Sequence, residues 1–110
     1  MNELVTRLFQ NQHEVEVRIR PNKSPEEFEQ CIQRGYVHLN IADTRGGTEL
    51  GIRLDKKACD LGGANFREGS GNARLAGALV LDGVRMMCTA DISLPSLSGL
   101  AVFSQHSSRE

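Results

Sequence analysis

Hydrophobic and polar residues alternate along two neighbouring runs of the chain, and this pattern predicts a β-hairpin over residues 36–55. The first run covers residues 36–41 and the second covers residues 50–55. Between them the segment 43–47, DTRGG, supplies the glycine-rich chemistry of a turn. Since alternate residues of a strand point to opposite faces, the predicted hairpin has one hydrophobic face and one polar face.

A second and longer hairpin is predicted over residues 74–94. Asp82-Gly83 is a favoured two-residue turn, and hydrophobic runs flank it on both sides. With this turn, one face carries the hydrophobic residues Leu75, Leu79, Leu81, Val84, Met86, Cys88, Ala90 and Ile92. The opposite face carries Arg74, Ala76, Ala78, Val80, Arg85, Met87, Thr89 and Asp91.

The N-terminal part of the chain has the spacing of two helices and one strand. Hydrophobic residues at helical spacing predict a helix over residues 3–10, and strict alternation predicts a strand over residues 13–20. A second helix is predicted to begin after Ser24, which caps it, with Pro25 in its first turn. Gly35 is expected to end this helix in a left-handed conformation.

The rest of the chain is less regular. Residues 56–72 are rich in glycine and predict a long loop, the first place to expect a functional site. Residues 100–104 predict a last strand, and the polar tail 104–110 is expected to fray. The predicted fold is α+β: a mostly antiparallel sheet of about five to six strands built from two hairpins, with two N-terminal helices packed on one face. We expect a single domain over residues 1–110.

Composition excludes several classes of protein. A chain with 39% hydrophobic and 25% charged residues is typical of a globular protein, and no apolar run approaches the roughly 18 residues that span a membrane. The N-terminus lacks the apolar core of a signal peptide, so we expect a cytoplasmic protein. Cys31, Cys59 and Cys88 have no metal-ligand spacing and fit free thiols. The three histidines are dispersed, so neither a metal site nor a cofactor is predicted.

The turn of the first hairpin is the candidate ligand site. The adjacent glycines Gly46 and Gly47 allow backbone amides to converge on an anion, and Arg45 and Arg53 could hold a small anionic ligand. The alternative is an ordinary hairpin loop whose glycines permit positive φ and whose charges are solvated.

The polar face of the first hairpin suggests an enzyme as the alternative function. His38 would act as acid or base, and Asp55 or Asp91 would orient it. With the turn centred near Arg45 and Gly46, His38 is expected to lie across from Arg53. These are weak candidates, because the chain has no recognised catalytic motif such as G-x-S-x-G.

The second hairpin predicts an interaction surface, and this is the function that the sequence favours. Its outer face is too apolar to be left fully exposed, so we expect a homo-oligomer such as a homodimer, or association with a larger partner as an accessory or regulatory domain. The predicted interface residues are Ala76, Ala78, Arg85, Met87 and Thr89.

Nucleic-acid binding is the third hypothesis. This hypothesis requires that the following arginines lie on one surface: Arg18, Arg20, Arg45, Arg53, Arg74 and Arg85. The net charge of -1 argues against it, because nucleic-acid binders usually carry a basic excess. Sheet curvature decides between the other two hypotheses, since a curled sheet makes a pocket and a flat sheet makes an interface.

Overall fold

The structure, a computed structural model, describes residues 3–10, 12–19, 23–42 and 47–105. These residues form two α-helices, α1 (Glu3–Leu8) and α2 (Pro25–Arg34). They also form the strands β1 (His13–Arg18), β2 (Tyr36–Ile41), β3 (Thr48–Leu54), β4 (Ala64–Asn65), β5 (Ser70–Leu81), β6 (Val84–Ser93) and β7 (Ser98–Gln105). One turn of 3-10 helix covers Lys56–Ala58.

The seven strands form one antiparallel sheet that closes on itself. Its strand order is β3-β2-β1-β7-β6-β5-β4, and β3 also pairs with β5. This additional pairing matches Arg53 with Ala78 and Leu54 with Gly77. Six strands therefore form a closed barrel, and the short β4 extends β5 outside it. The predicted α+β class and mostly antiparallel sheet are confirmed, although the sheet has seven strands where five to six were predicted, and its closure was not part of that prediction.

The closure depends on the small size of one residue. A Cβ atom at Gly77 would lie 2.4 Å from the carbonyl oxygen of Arg53 and 2.8 Å from Cγ2 of Ile52. Both distances are far below ordinary van der Waals contact. A glycine on β5 therefore allows the two strands to approach closely enough to pair.

The barrel interior is the hydrophobic core. Alternate residues of each strand point inward, as the period-two pattern predicts. The predicted inner face of the second hairpin is confirmed for most of its length, since Leu75, Leu79, Met86, Cys88, Ala90 and Ile92 are buried. The largest fully buried side chains include Phe28, Leu8, Leu39, Ile41, Ile52, Leu75, Met86, Ile92 and Leu94.

The two helices only partly match the expected arrangement. Ser24 caps α2, its Oγ accepting a hydrogen bond from the amide of Glu27 at 3.1 Å, and Gly35 ends the helix with φ of 85°, as predicted. Val5 and Leu8 of α1 are fully buried. However, α1 contacts β7 and α2 contacts β2, with β1 between those strands. The expectation of both helices packed on one face assumed an open sheet, which the closed barrel does not provide.

Residues 56–72 contain more regular structure than the predicted loop. The 3-10 turn begins this segment, Asp60 forms a β-bridge with Arg74, and β4 pairs with the start of β5. The strand β5 already begins at Ser70. Turns still make up much of the segment, and the sequence did not predict these short elements because their contacts are backbone hydrogen bonds, which leave little pattern in a glycine-rich sequence.

The predicted tail is shorter than expected. Ser104 pairs with Met87 and Gln105 pairs with Met86, so the first two residues of the expected frayed segment belong to β7. The remaining residues, 106–110, lie outside the described residues.

Candidate binding face at the barrel seam

The β3–β5 pairing brings the outer faces of the two predicted hairpins together. We call the resulting surface the seam face, defined by Tyr36, His38, Gly51, Arg53, Ala78, Val80, Arg85 and Met87. The cross-strand pairs that connect it are Tyr36 with Arg53, His38 with Gly51, Arg53 with Ala78, Ala78 with Met87, and Val80 with Arg85. Arg53, the described one of the two arginines predicted to hold a ligand, and most of the predicted interface of the second hairpin therefore share one surface.

The centre of the seam face is an open groove with exposed hydrophobic side chains. Its volume is about 540 Å³, and it extends from Tyr36 and Gly51 across to Val80 and Arg85. Val80 is 64% exposed and Tyr36 is 46% exposed. Large hydrophobic side chains with this much contact with water are candidates for burial by a partner.

The ring of Tyr36 is held in a defined position at one end of this groove. It leans over Gly51, where a Cβ atom would lie 2.0 Å from the tyrosine hydroxyl oxygen. The ring also meets His38 edge to face, with centroids 5.0 Å apart and an interplanar angle of 88°. The missing side chain at Gly51 thus makes room for the aromatic ring.

Two arginines flank the exposed hydrophobic residues. Arg53 on β3 and Arg85 on β6 lie on either side of β5, two interstrand spacings or about 9.6 Å apart across the sheet. Both side chains are exposed, and neither forms an ion pair or a hydrogen bond with another described residue. By contrast, Arg74 Nε lies 3.0 Å from Asp91 Oδ1 in an ion pair. The seam face therefore offers two guanidinium groups for an external anion.

The seam face contains most of the predicted interface, namely Ala78, Arg85 and Met87. Ala76 is half-buried, because the chain leaving β3 passes over it and its amide donates a hydrogen bond to the sulfur of Cys59 at 3.3 Å. Thr89 is the cross-strand partner of Ala76, and it also lies opposite Val102 in a neighbouring groove with Asp91. Ala76 and Thr89 therefore continue the outward face of Ala78 and Met87 by two residues along the strands, beyond the seam face.

The three candidate catalytic residues are not brought together. The strands β2, which carries His38, and β6, which carries Asp91, are three strands apart in both directions around the barrel, and Asp91 pairs with Arg74. Asp55 follows β3 about 13 Å beyond the residue opposite His38. Its Oδ1 accepts a hydrogen bond from the amide of Lys57 at 3.2 Å and so caps the 3-10 turn. In this arrangement neither carboxylate orients the histidine.

The predicted turn site is only partly within the described residues. Arg45 and Gly46 lie outside them, while Gly47 has φ of 78°, as a turn glycine should. The expected position of His38 across from Arg53 is wrong, because Tyr36 occupies that position and His38 lies opposite Gly51. The register of a hairpin depends on its turn geometry, which the sequence does not specify when the turn is long.

Two further grooves differ from the seam face in their charge. One, of about 730 Å³, lies beside α2 and mixes the carboxylates Glu26 and Glu29 with Arg67. The other, of about 620 Å³, lies along β5, β6 and β7 and contains the Arg74–Asp91 ion pair. Both are larger, and the second also exposes Leu100 at 46% and Val102 at 47%. Among the described residues of these three grooves, exposed hydrophobic side chains occur together with unpaired charges of one sign at the seam face.

The groups with perturbed pKa values lie outside the seam face. Burial in the core raises the pKa of the Cys88 thiol to about 12. The hydrogen bond from Lys23 holds the pKa of the Glu16 carboxyl below its ordinary value, and the bond to Asp91 raises the pKa of the Arg74 guanidinium. These shifts follow from burial and ion pairing and do not indicate a catalytic group.

The structure also bears on metals and membranes. Within residues 3–10, 12–19, 23–42 and 47–105, no group of three or more histidine, cysteine, aspartate or glutamate side chains is placed to hold a metal ion. Neither described helix has the length and hydrophobicity needed to cross a membrane.

The alternation pattern does not predict that the two hairpins share a surface. Tyr36 projects outward from β2, but its closeness to Val80 depends on barrel closure. The one signal for closure was Gly77, a glycine between two alanines in an otherwise regular strand.

No protein-family model and no curated protein matches this chain.

Proposed function

We propose that this protein is a non-catalytic binding domain that acts through protein–protein association, and that the seam face is its binding surface. The observation that carries the proposal is the exposure of Val80 and Tyr36 beside two arginines with no ion-pair partner among the described residues. Tyrosine and arginine are enriched among the residues that dominate binding energy at protein interfaces. Alanine, valine and methionine around them supply apolar area that association would remove from water.

The partner in this proposal is another protein for which the domain serves as an accessory or regulatory element. A homo-oligomer is the second form of the same proposal, since the outer face of the second hairpin favours it too. The proposed setting is the cytoplasm, where reducing conditions suit the three free cysteines.

Site-specific photocrosslinking in the cells that make the protein tests this proposal. A photoreactive phenylalanine analogue replaces Val80 in one variant and Val102 in a second. Val102 is a matched control, because it is also an exposed valine, at 47%, but lies outside the seam face. We expect a discrete protein adduct from position 80, lost when Ala78→Glu is added, and no such adduct from position 102.

A self-adduct at position 80 would support the homo-oligomeric form. An absence of adducts at position 80, or the same adducts from both positions, would contradict association through the seam face.

A small anionic ligand is the second candidate occupant of the same groove. The volume of about 540 Å³ lies within the usual range for small-molecule sites, and Tyr36 and Arg53 offer an aromatic face and a cation. An open groove on the outside of a barrel covers less of a small ligand than an enclosed pocket does, so we rank this candidate second. Native mass spectrometry of the purified protein tests it: a monomer carrying extra mass that Arg53→Ala removes would favour the ligand over a protein partner.

A further inference from the structure

The charged residues of the seam face indicate which chemical class of partner would bind there. This inference rests on the proposed function. We propose that the partner presents an acidic segment of a different protein, whose carboxylates pair with Arg53 and Arg85 while an aliphatic or aromatic side chain packs against Val80. The segment crosses β5, with one charged contact on each side of it.

The geometry provides contacts for both parts of such a segment. Arg85 lies directly opposite Val80 on β6, and Arg53 lies opposite Ala78 on the other side of β5. An acidic side chain on each side of one central hydrophobic residue can therefore reach the two guanidinium groups. Arginine is suited to this role, because its planar guanidinium can bind a carboxylate through two parallel hydrogen bonds.

The positive charge continues beyond the groove. Arg18 on β1 is exposed and pairs in register with His38, which adjoins the ring of Tyr36. Arg18, Arg53 and Arg85 thus all lie on the outer side of the barrel, and none of the residues that define the seam face is acidic. Outward acidic residues lie beyond the seam face, at Glu16 beside Arg18 and at Glu49 on β3, and Glu16 is paired with Lys23. An acidic partner would therefore gain favourable electrostatic interactions at the seam face itself.

A second copy of the chain is a poorer match for this surface. In a two-fold dimer the same patch of both subunits is buried. The arginines of one seam face would then meet those of its mate, with no carboxylate on either face to compensate. Like charges brought together at an interface are unfavourable, so the charge pattern favours a partner of different sequence.

A nucleic acid is also a poorer match. Nucleic-acid binding draws its affinity chiefly from several phosphates neutralised at once, whereas the centre of this face is apolar and the chain has a net charge of -1. Arg74, which nucleic-acid binding would also need, is paired with Asp91 at 3.0 Å.

A displayed library of random 12-residue peptides tests the inference. Peptides are selected on the whole protein and counter-selected on the double variant Arg53→Glu/Arg85→Glu. The selected peptides are then labelled, and their dissociation constants are measured at low and high salt for the wild type, for each single variant and for Arg67→Glu. Arg67 is the matched control, because it is an exposed arginine outside the seam face. Circular dichroism checks that each variant is folded.

We expect the selected peptides to be rich in aspartate and glutamate around a hydrophobic residue. Each seam-face variant should weaken their binding about five- to tenfold, Arg67→Glu should leave it unchanged, and added salt should weaken it. Peptides with their acids replaced by lysine should bind the double variant better than the wild type.

Three results would overturn the inference: selected peptides that are neutral or basic, no selected peptide that depends on the two arginines, or tighter binding of a labelled single-stranded oligonucleotide than of any peptide. Photocrosslinking at position 80 distinguishes this failure from failure of the proposed function. A specific adduct at position 80 with a neutral partner or with a second copy of the chain would support the seam face as the binding surface. It would contradict only the proposed preference for an acidic segment.

Discussion

Arg53 lies directly across from Ala78 in the pairing that closes the barrel. These residues come from different hairpins and from strands that are not consecutive in the sequence. Their pairing places an arginine of the first hairpin against the semi-apolar face of the second. The candidate binding surface therefore exists because the sheet closes, and changes that weaken the closure should alter both stability and binding.

Gly77→Ala tests the closure. The added methyl group would lie 2.4 Å from the carbonyl oxygen of Arg53, a backbone atom that cannot move without disturbing the pairing. We expect a loss of about 1–3 kcal/mol in the free energy of unfolding, measured by chemical denaturation. Gly62→Ala is the control, because its nearest neighbour is the Asp60 side chain at 3.3 Å, and it should cost less than about 0.5 kcal/mol. Equal costs for the two variants would argue against a steric requirement at the seam.

Gly51→Ala tests the placement of Tyr36. The new methyl group would lie 2.0 Å from the hydroxyl oxygen and 2.7 Å from Cζ, so the ring must move away while the backbone remains. Tyr36 is the single tyrosine and the chain has no tryptophan, so tyrosine fluorescence and near-ultraviolet circular dichroism report on this one ring. We expect both signals to change with a stability loss below about 1 kcal/mol. Spectra identical to the wild type would mean that the ring does not lie over Gly51.

Cys88 predicts a fall in stability at alkaline pH. Its native pKa is raised to about 12 by burial, whereas the unfolded thiol titrates near its ordinary value, about 8.5. Between these values the native state keeps a proton that the unfolded state loses. The stability that the protonated Cys88 thiol contributes is therefore fully present below about pH 8.5. As pH rises toward 12 the free energy of unfolding falls by up to about 1.4 kcal/mol per pH unit.

Denaturation of Cys88→Ala across this pH range measures that contribution. Cys88→Ala should have a lower free energy of unfolding than the wild type at neutral pH, because it removes a buried sulfur atom. Its free energy of unfolding should then fall less steeply with rising pH than that of the wild type. Cys31→Ala, which changes a half-buried thiol, should keep the steeper decline. Parallel curves for the wild type and Cys88→Ala would contradict the burial of the thiol.

Phe66→Ala tests how the segment after β3 is anchored. The Phe66 ring packs against Phe28 of α2, with centroids 6.0 Å apart. Because Phe66 is only half-buried, we expect a cost of about 2 kcal/mol, below that of a fully buried phenylalanine. Hydrogen exchange should increase over residues 59–69, while the neighbouring change Arg67→Ala should leave it unaltered. Unchanged exchange in Phe66→Ala would indicate that backbone pairing alone holds the segment.

Local patterns predicted the local structure well. Period-two alternation identified the strands of both hairpins, and the Asp82-Gly83 turn fixed the register of the second, so that Leu81 pairs with Val84 as expected. The sequence also predicted that α2 is capped by Ser24 and ends at Gly35, because helix termini need particular residues at particular positions.

The binding face was less predictable, because it depends on contacts between residues far apart in the sequence. Arg53 and Val80 were each recognised on an outward face, but a linear pattern does not report which strands pair across a closure. The register of the first hairpin also differed by two residues, since its turn is long. As a result, the sequence predicted a ligand site on the first hairpin and an interface on the second as two separate sites, whereas the structure places Arg53 and most of that interface on one surface.

The mass of the native protein tests the central claim most directly. Light scattering is applied to the protein purified from the cells that make it, as the wild type, as Ala78→Glu and as Ala58→Glu. Ala58 is an exposed alanine outside the seam face, so the control makes the same substitution away from the proposed interface. The account predicts a wild-type complex heavier than the 12.1 kDa chain, reduced to a folded monomer by Ala78→Glu and preserved in Ala58→Glu. A wild-type monomer, or a complex whose mass Ala78→Glu leaves unchanged, would contradict association through the seam face.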